Sequence, residues 1–287
     1  MNAQLLINGI VNASLIAPPA IAFTLLFGVL RFPNFAIGGY ITVGAFIAYG
    51  INVDLGLPLW IAGIGAMAGT ALVVWISDLI VFRPMRGHAP VTLLVVSIAL
   101  TLILEHIIRL IYSADVRGFD VPLQRPMKFA GMRITHEQVE IILMASAIAV
   151  GVHLVLKYTR IGKAMRATAD NEMLAEVRGI NTGVVIAFTW CLCGVLFGVT
   201  GVFAGLDLVI EPLVGWNLTI PIFAAAILGG IGSPYGAMLG ALMVGMAEEL
   251  TVLVLPSSYK IGVGFVIIAI LLLVRPHGLL GQPEIKK

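Results

Sequence analysis

The chain has 287 residues, of which 60% are hydrophobic and only 11% are charged. Soluble domains carry about 25% charged residues, so this composition excludes an ordinary water-soluble domain and indicates an all-α protein whose solvent is lipid. The formal net charge of +2 is too small to predict a nucleic-acid-binding protein.

Nine apolar segments follow one another along the chain, and each is a candidate membrane crossing. A helix needs about 20 apolar residues to span the hydrocarbon core of a bilayer. The segments are 5–30, 35–51, 59–82, 90–112, 139–156, 184–206, 218–231, 235–255 and 261–274. Because 35–51 and 218–231 are short and rich in Gly, Ala or Pro, we expect broken or re-entrant helices there. The sequence therefore predicts one polytopic membrane helix bundle of roughly eight or nine crossings.

Two adjacent prolines stand inside the first apolar segment. Proline removes a backbone hydrogen-bond donor and clashes with the preceding helical turn. Pro18 and Pro19 are therefore expected to break or kink the first helix. In lipid, such a break either packs within the bundle or borders a pathway, because unpaired backbone groups are tolerated only where they are buried or line a cavity.

Two further Gly/Pro interruptions resemble each other and suggest an internal repeat. A shift of 201 positions aligns FGVLRFPNFAIGGYITVGAF (27–46) with LGGIGSPYGAMLGALMVGM (228–246). The pairs include Gly28 with Gly229, Pro33 with Pro234, Ala36 with Ala237 and Gly39 with Gly240. Matched interruptions in two halves of a membrane protein indicate a transport pathway. The predicted pathway residues are Asn34, Gly38, Gly39, Gly229, Gly230, Gly232 and Ser233.

Lys and Arg in short loops mark the cytoplasmic side of a membrane protein. The basic clusters are Arg83 with Arg86, the loop 157–183, and Arg275 with Lys286 and Lys287. Two crossings separate the first two clusters, so we place all three in the cytoplasm. With nine crossings the N-terminus then lies outside. Asp78 is close enough to Arg83 to pair with it at the inner boundary.

Residues 160–180, RIGKAMRATADNEMLAEVRGI, form a charged island between two apolar segments. Such a stretch cannot lie in lipid, so we expect a cytoplasmic surface for a soluble partner. Asp170 is predicted to cap the N-terminus of a short helix that carries Glu172 in its first turn and ends at Gly179.

Ionisable residues inside a membrane are costly and usually functional. Glu105 and Arg109 are four residues apart on one helix and are expected to pair; a contact with substrate at the outer end of that helix is the alternative. Of Glu248 and Glu249, one is expected to face a helix interface as a satisfied polar residue.

No catalytic or metal site is predicted. The chain has no Walker A sequence, so we do not expect it to hydrolyse ATP by that route. His136-Glu137 is followed at metalloprotease spacing by Glu140 and not by a second His. Cys191 and Cys193 lie in an apolar segment and are expected to face lipid or the core, without forming a metal site or a disulfide.

Four sequence patches together resemble the branched-chain amino acid type of ABC importer, and in particular the shorter of its two permease subunits. The patches are LINGIVNASL with FGVLRFPNFAIGGYITVGAF, VFRPMRG, RIGKAMRATADNEMLAEVRGIN, and ILGGIGSPYGAMLGALMVGMAE with LLVRPHGLLG. The resemblance covers almost the whole chain. The prolines 18 and 19, Ile37 and Glu105 depart from the family pattern. These departures leave the substrate open among branched-chain amino acids, urea, short amides and small carboxylates.

The resemblance implies a transport subunit that is not itself an enzyme and that takes no cofactor. Residues 1–287 would form a single permease domain in a bacterial-type inner membrane. It would pair with a second, commonly non-identical permease, two cytoplasmic ATPase subunits that bind ATP, and an external solute-binding protein. The loop 157–183 would dock on the ATPase. The implied docking residues are Arg160, Gly162, Lys163, Arg166, Asp170, Asn171, Glu172, Glu176, Arg178 and Gly179.

A self-sufficient channel or an ion-coupled secondary carrier is the alternative function. Such a protein would need ion-binding carboxylates near the membrane midplane, for which Glu248 and Glu249 are the candidates, and it would need no ATPase partner. A membrane scaffold without transport activity is disfavoured by the Gly/Pro interruptions.

Overall fold

The computed structural model describes residues 2–121, 126–129, 132–256, 259–274 and 278–280. These residues are mostly helical, with one short antiparallel strand pair. The helices are α1 (Asn2–Leu30), α2 (Ile37–Tyr49), α3 (Leu59–Ser77), α4 (Pro90–Tyr112), α5 (His136–Tyr158), α6 (Arg160–Asp170), α7 (Glu172–Val177), α8 (Thr182–Asp207), α9 (Val214–Gly229), α10 (Pro234–Thr251) and α11 (Lys260–Val274), and the strands are β1 (Met127–Phe129) and β2 (Met132–Ile134).

Each of the nine predicted apolar segments contains a helix. In the described part of the chain, 5 helices are long and apolar enough to cross a membrane. These are Gln4–Leu30, Leu59–Met85, Pro90–Tyr112, His136–Tyr158 and Thr182–Asp207. The helices α2 and α9 are shorter, with 13 and 16 residues. The prediction of an all-α membrane bundle with broken helices is confirmed.

Of the break or kink expected at Pro18 and Pro19, the break is wrong and the kink stays a prediction. Helix α1 runs without interruption from Asn2 to Leu30 with both prolines inside it. Both prolines are buried, and α1 packs along α8, α9 and α10. Tertiary packing on several sides therefore holds the helical path, although each proline lacks the amide that a regular helix would use.

Two antiparallel helix pairs pack closely, α1 with α10 and α3 with α8. Gly245 of α10 faces Ala13 of α1, and Gly194 of α8 faces Ala71 of α3. A β-carbon on either glycine would lie 2.5 Å from a backbone atom of the opposing helix. Glycine at these two positions therefore lets the helix backbones approach closely, as is common between membrane helices.

The short helices α2 and α9 start beside each other and run in opposite directions. Six residues without helical structure precede each of them, 31–36 before α2 and 208–213 before α9. The end of α2 lies beside the end of α4, where the rings of Tyr49 and Tyr112 are 5.8 Å apart. The end of α9 turns directly into α10. The segment α1–α2–α3 is thus related to α8–α9–α10 by inversion, the symmetry of inverted-repeat transporters.

The inverted relation has a different offset from the one expected from the sequence. It aligns IGGYIT (37–42) with VGWNLT (214–219), 177 positions apart. The expected offset of 201 positions aligns two turns of similar form instead. Arg31 and Gly232 both have positive φ, 58° and 89°, and a proline follows each of them two residues later. These turns precede two helices that run in the same direction, so they are not the inverted pair.

The first two basic loops lie at the same end of the bundle, which we call the basic end. Phe82, next to Arg83, stacks on Trp190 with ring centroids 5.1 Å apart, which places the start of α4 near the start of α8. The N-terminus lies at the opposite end, where the Gln4 side chain exchanges hydrogen bonds of 2.9 and 2.8 Å with the Arg133 backbone. The remaining predicted basic cluster, Arg275, Lys286 and Lys287, lies outside the described residues.

Candidate functional site

The N-termini of α2 and α9 meet backbone to backbone inside the bundle. A β-carbon on Gly215 would overlap the carbonyl group of Gly38, and one on Gly38 would lie 3.0 Å from the Gly215 carbonyl oxygen. The Gly215 amide donates a hydrogen bond of 3.2 Å to the Thr42 hydroxyl. Thr219, which the inversion relates to Thr42, donates one of 2.8 Å to the Gly215 carbonyl. All four residues are buried, and we call them the α2–α9 junction.

The chain that leads into α2 is fixed to α4 by side-chain hydrogen bonds. The Phe35 amide donates to the Ser97 hydroxyl at 2.9 Å, and the Thr101 hydroxyl donates to the Phe35 carbonyl at 2.8 Å. The Asn34 carbonyl oxygen Oδ1 accepts a bond of 2.8 Å from the Ala36 amide. These bonds satisfy backbone groups that a non-helical segment leaves free, as a membrane interior requires.

The predicted pathway residues separate into two groups. Asn34, Gly38 and Gly39 lie buried at the start of α2. A β-carbon on Gly39 would lie 3.1 Å from the Cα atom of Thr101, the middle residue of the 23-residue helix α4, so this group lies about halfway through the bundle. The other group lies in and beside the turn between α9 and α10: Gly229, Gly230, Gly232 and Ser233. The structure does not bring the two groups together, and their pathway role stays a prediction.

The turn between α9 and α10 depends on glycine for two physical reasons. Gly230 and Gly232 have φ of 105° and 89°, in the left-handed region that favours glycine. Gly229 packs so closely on Gly236 that a β-carbon on either would overlap the other's backbone. Ser233 caps α10 by accepting a hydrogen bond of 3.1 Å from the Gly236 amide. The glycines therefore serve a tight hairpin at the basic end.

Two ion pairs expected from the sequence are absent. Glu105 is only 2% exposed, and neither its Oε1 atom nor the Nε atom of Arg109 has a hydrogen-bond partner. The pair does not form because the Glu105 side chain is packed into the bundle while Arg109 is only half-buried. Asp78 pairs with Arg86 at 2.6 Å and not with Arg83, because the chain folds back through the 3₁₀ turn that follows α3.

Both glutamates of α10 face helix interfaces. Glu248 accepts a hydrogen bond of 2.8 Å from the Asn12 side chain of α1. Glu249 pairs with Lys260 of α11 at 2.5 Å. The buried Oε1 atom of Glu248 has no hydrogen-bond partner. The expectation of one satisfied polar residue at a helix interface is therefore met by Glu249, which pairs with Lys260.

The charged island forms two helices instead of one. Helix α6 extends through Asp170, and α7 starts at Glu172. The side chain of Asn171 accepts a hydrogen bond of 3.0 Å from the Leu174 amide. The N-cap of α7 is therefore Asn171, and the prediction of Asp170 is wrong because Asp170 is the last residue of α6.

Glycines with specific backbone contacts mark both ends of the island. Gly179 has φ of 83°, and its amide and that of Ile180 donate to the carbonyls of Glu176 and Ala175 at 2.8 and 3.0 Å. This is the Schellman arrangement that ends a helix at glycine, so the predicted end of α7 is confirmed. At the other end, a β-carbon on Gly162 would overlap the backbone of α5, so the turn from α5 into α6 requires glycine.

Helices α6 and α7 present a mixed apolar and charged surface to solvent. Met173 is 76% exposed and Val177 is 79% exposed. A cavity of about 240 Å³ lies between the two helices. Every predicted docking residue except Gly162 is exposed, namely Arg160, Lys163, Arg166, Asp170, Asn171, Glu172, Glu176, Arg178 and Gly179. Exposed apolar residues rimmed by charges are typical of protein-contact surfaces.

Two hydrogen bonds connect this surface to the helices of the bundle. The Thr182 hydroxyl at the start of α8 donates to the Glu176 carboxylate at 2.7 Å. The Arg31 guanidinium, directly after α1, donates to the carbonyl oxygen of Ala169 in the last turn of α6. The helix packing and these bonds join α5–α8 and α1 at the basic end.

Several residues of the site were not found from the sequence. The residues are Arg31, Ser97, Thr101, Thr42, Gly215 and Thr219. The only available signal was the pair IGGYIT and VGWNLT, which share a glycine in second position and a threonine in sixth. That pair is too short to stand out in a chain with 32 glycines.

The comparison with known families matches this architecture. Residues 5–274 match the family described as branched-chain amino acid transport system / permease component. The chain is 32% identical over 304 residues to the high-affinity branched-chain amino acid transport system permease protein LivH of Escherichia coli K12, and the alignment covers 99% of this chain and 97% of that protein. The chain belongs to this family.

Two further similarities agree with the assignment. The permease protein BraD of Pseudomonas aeruginosa is 33% identical over 302 residues, covering 99% of this chain and 97% of BraD. A metal-chelate type ABC transporter in an inward-facing conformation has the same fold, with a TM-score of 0.51, 15% identity and coverage of 94% of this chain and 88% of that one. The chain is a permease subunit of an ABC importer and a multi-pass protein of the bacterial-type inner membrane.

Proposed function

We propose that this chain forms half of the pathway for a small polar solute, and that partner subunits drive transport by binding and hydrolysing ATP. The names of LivH and BraD indicate a branched-chain amino acid as the solute, and related amides and carboxylates are the other candidates. The α2–α9 junction is the observation that carries the proposal, because two broken helices starting halfway through a bundle are typical of transport pathways.

The geometry of the junction suggests where the pathway runs. Gly38 and Gly215 are in backbone contact, which leaves no space for a solute between α2 and α9. We therefore place the pathway on the outer surface of the junction, between this chain and a second, non-identical permease. Movement of α2 against α9 would change the shape of that surface.

We assign the loop 157–183 to the docking of an ATPase subunit in the cytoplasm. The exposed apolar side chains of α7 support this assignment, as do the hydrogen bonds from Thr182 and Arg31 that connect the island to the bundle. The basic end would then face the cytoplasm, and the N-terminus would face the external solute-binding protein.

Reconstitution of the complete importer in liposomes tests the function. The chain is combined with a second permease, two ATPase subunits and the binding protein, and uptake of isotope-labelled branched-chain amino acids, amides and carboxylates is measured. We expect uptake to require both ATP and the binding protein. Mass spectrometry of small molecules that co-purify with the native complex gives an independent identification of the solute. Uptake driven by an ion gradient without ATPase subunits would contradict the proposal and favour a secondary carrier.

A further inference from the structure

An acidic and an amide side chain lie together beside the start of α9. Asn217, in the first turn of α9, is exposed, and Glu211, in the chain leading into α9, is half-buried. The Asn217 side-chain amide donates a hydrogen bond of 3.1 Å to the Glu211 carboxylate. The exposed neighbours Leu213 and Trp216 are apolar, so this polar pair interrupts an apolar surface.

The pair lies about halfway through the bundle. Asn217 follows Gly215 of the α2–α9 junction by two residues, and the junction lies opposite the middle of α4. The Glu211 carboxylate is at the same depth because it bonds to Asn217. Glu211 lies between the apolar segments 184–206 and 218–231. The structure folds 208–213 inward, next to α2.

A carboxylate at this depth is unfavourable against lipid. Ionisable residues within a membrane usually pair with another charge or line a substrate pathway. Neither of the two ion pairs found in the described residues involves Glu211. Among the described residues no cation pairs with the Glu211 carboxylate, so its charge fits a cationic group on a bound solute.

Glu211 differs from the residue that the inverted symmetry relates to it. The offset of 177 positions aligns Glu211 with Asn34. Asn34 is buried and bonds to the amide of Ala36 within its own turn, whereas Glu211 reaches the surface. The two halves of the chain are therefore not equivalent at this position, and only the second half presents a charge to the proposed pathway.

We propose that Glu211 and Asn217 form a substrate site on the pathway surface, in which the Glu211 carboxylate binds the ammonium group of a zwitterionic amino acid. Asn217 holds the carboxylate in place with one amide hydrogen and offers its second to the substrate carboxylate. This inference rests on the proposed function and narrows it. Solutes without an ammonium group, such as urea, simple amides and simple carboxylates, lack the partner that Glu211 requires.

Replacement of Glu211 by glutamine tests the charge in the complete importer. Glu211→Gln keeps an oxygen that can accept the hydrogen bond from Asn217 but removes the negative charge. We expect uptake of a branched-chain amino acid to fall about 10- to 100-fold, the range for a lost charge-assisted hydrogen bond, while the subunits still co-purify. Glu140→Gln, at an exposed position of α5, is the matched control and should leave uptake unchanged. Unaltered uptake in Glu211→Gln would overturn the inference.

A thiol-labelling experiment tests the location independently of the charge. Asn217→Cys is made in a chain whose Cys191 and Cys193 are replaced by alanine, and the complex is treated with a charged, water-soluble thiol reagent. We expect labelling, because a pathway surface is reached by water, and no labelling would overturn the inference. A wild-type importer that carries only solutes without an amine would also overturn it while leaving the proposed function intact. Absence of any ATP-dependent uptake would instead count against the proposed function itself.

Discussion

Gly38 and Gly215 pack backbone against backbone at the starts of two helices that run in opposite directions through the bundle. The contact joins the first turns of α2 and α9, each of which follows a non-helical segment of six residues. Because neither residue has a side chain, the separation of the two helices is set by their peptide groups.

Substitution of Gly215 tests this close contact. A methyl group in Gly215→Ala would overlap the Gly38 carbonyl, so we expect the variant to be less stable by about 1–3 kcal/mol, the usual cost of overpacking, and to transport poorly. Thermal unfolding of the purified complex measures the first effect. Gly151→Ala is the matched control, because a β-carbon there meets nothing within 4 Å; it should unfold at the wild-type temperature or above. Equal stability of the two variants would show that the junction tolerates more space than described.

The cap of α7 distinguishes two neighbouring residues. Asn171→Ala removes the side chain that accepts the Leu174 amide, and loss of such a cap costs about 1 kcal/mol of helix stability. We expect weaker binding of the ATPase subunit and faster proteolysis of the exposed loop. Asp170→Ala should have little effect on either measurement. The opposite ranking of the two variants would restore Asp170 as the cap.

The apolar surface of α7 predicts a contact that tolerates no charge. Val177 is 79% exposed, and Val177→Asp would place a carboxylate within the docking surface. Central apolar contacts of protein interfaces can contribute about 2 kcal/mol or more. Co-purification should therefore show loss of the ATPase subunit, while the second permease stays bound. Retention of the ATPase at wild-type affinity would show that Val177 lies outside the docking surface.

Arg31 predicts a variant that separates ATP hydrolysis from transport. Its guanidinium bonds to Ala169 in the island, and its backbone begins the segment that leads to the α2–α9 junction. We expect Arg31→Ala to keep basal ATPase activity and assembly but to move fewer solute molecules per ATP, by about tenfold. Arg31→Lys should recover part of the loss. Equal reductions in ATPase activity and uptake would indicate a general defect.

Glu248 distinguishes an ABC permease from an ion-coupled carrier. Glu248→Gln keeps an oxygen that accepts the hydrogen bond from Asn12 and removes a buried charge, which is costly to hold in an apolar interior. We expect ATP-driven uptake and stability at or above the wild-type level. A severe loss of uptake in this variant would support an ion-binding role for Glu248.

The positions of the nine apolar helices could be predicted from the sequence, because long apolar runs have few alternatives in a membrane. The two helices of the charged island were not, because a single helix was expected there. The end of α7 at Gly179 was also predictable, since a left-handed residue there favours glycine. Pro18 and Pro19 misled because their effect depends on packing against α8 and α10, which no local rule contains. Glu105 and Arg109 have helical spacing for a pair, but burial against another helix decides where each side chain points.

The junction itself was out of reach for a related reason. The junction consists of peptide groups and the side chains of Thr42 and Thr219. These groups meet only because the fold brings together segments 177 positions apart in the sequence. Glu211 could not be found from the sequence for the same reason. It becomes a candidate only because the non-helical segment 208–213 brings its carboxylate to Asn217 of α9.

A contact made by backbones also bears on how such a protein can change over generations. Close approach of α2 and α9 requires glycine at positions 38 and 215. The side chains of Glu211 and Asn217 lie on the neighbouring surface and do not contribute to that contact. Mutations at positions 211 and 217 can therefore alter which solute is accepted without changing the packing of α2 against α9. Related permeases can therefore differ in the solute they carry while keeping the same backbone contact between their short helices.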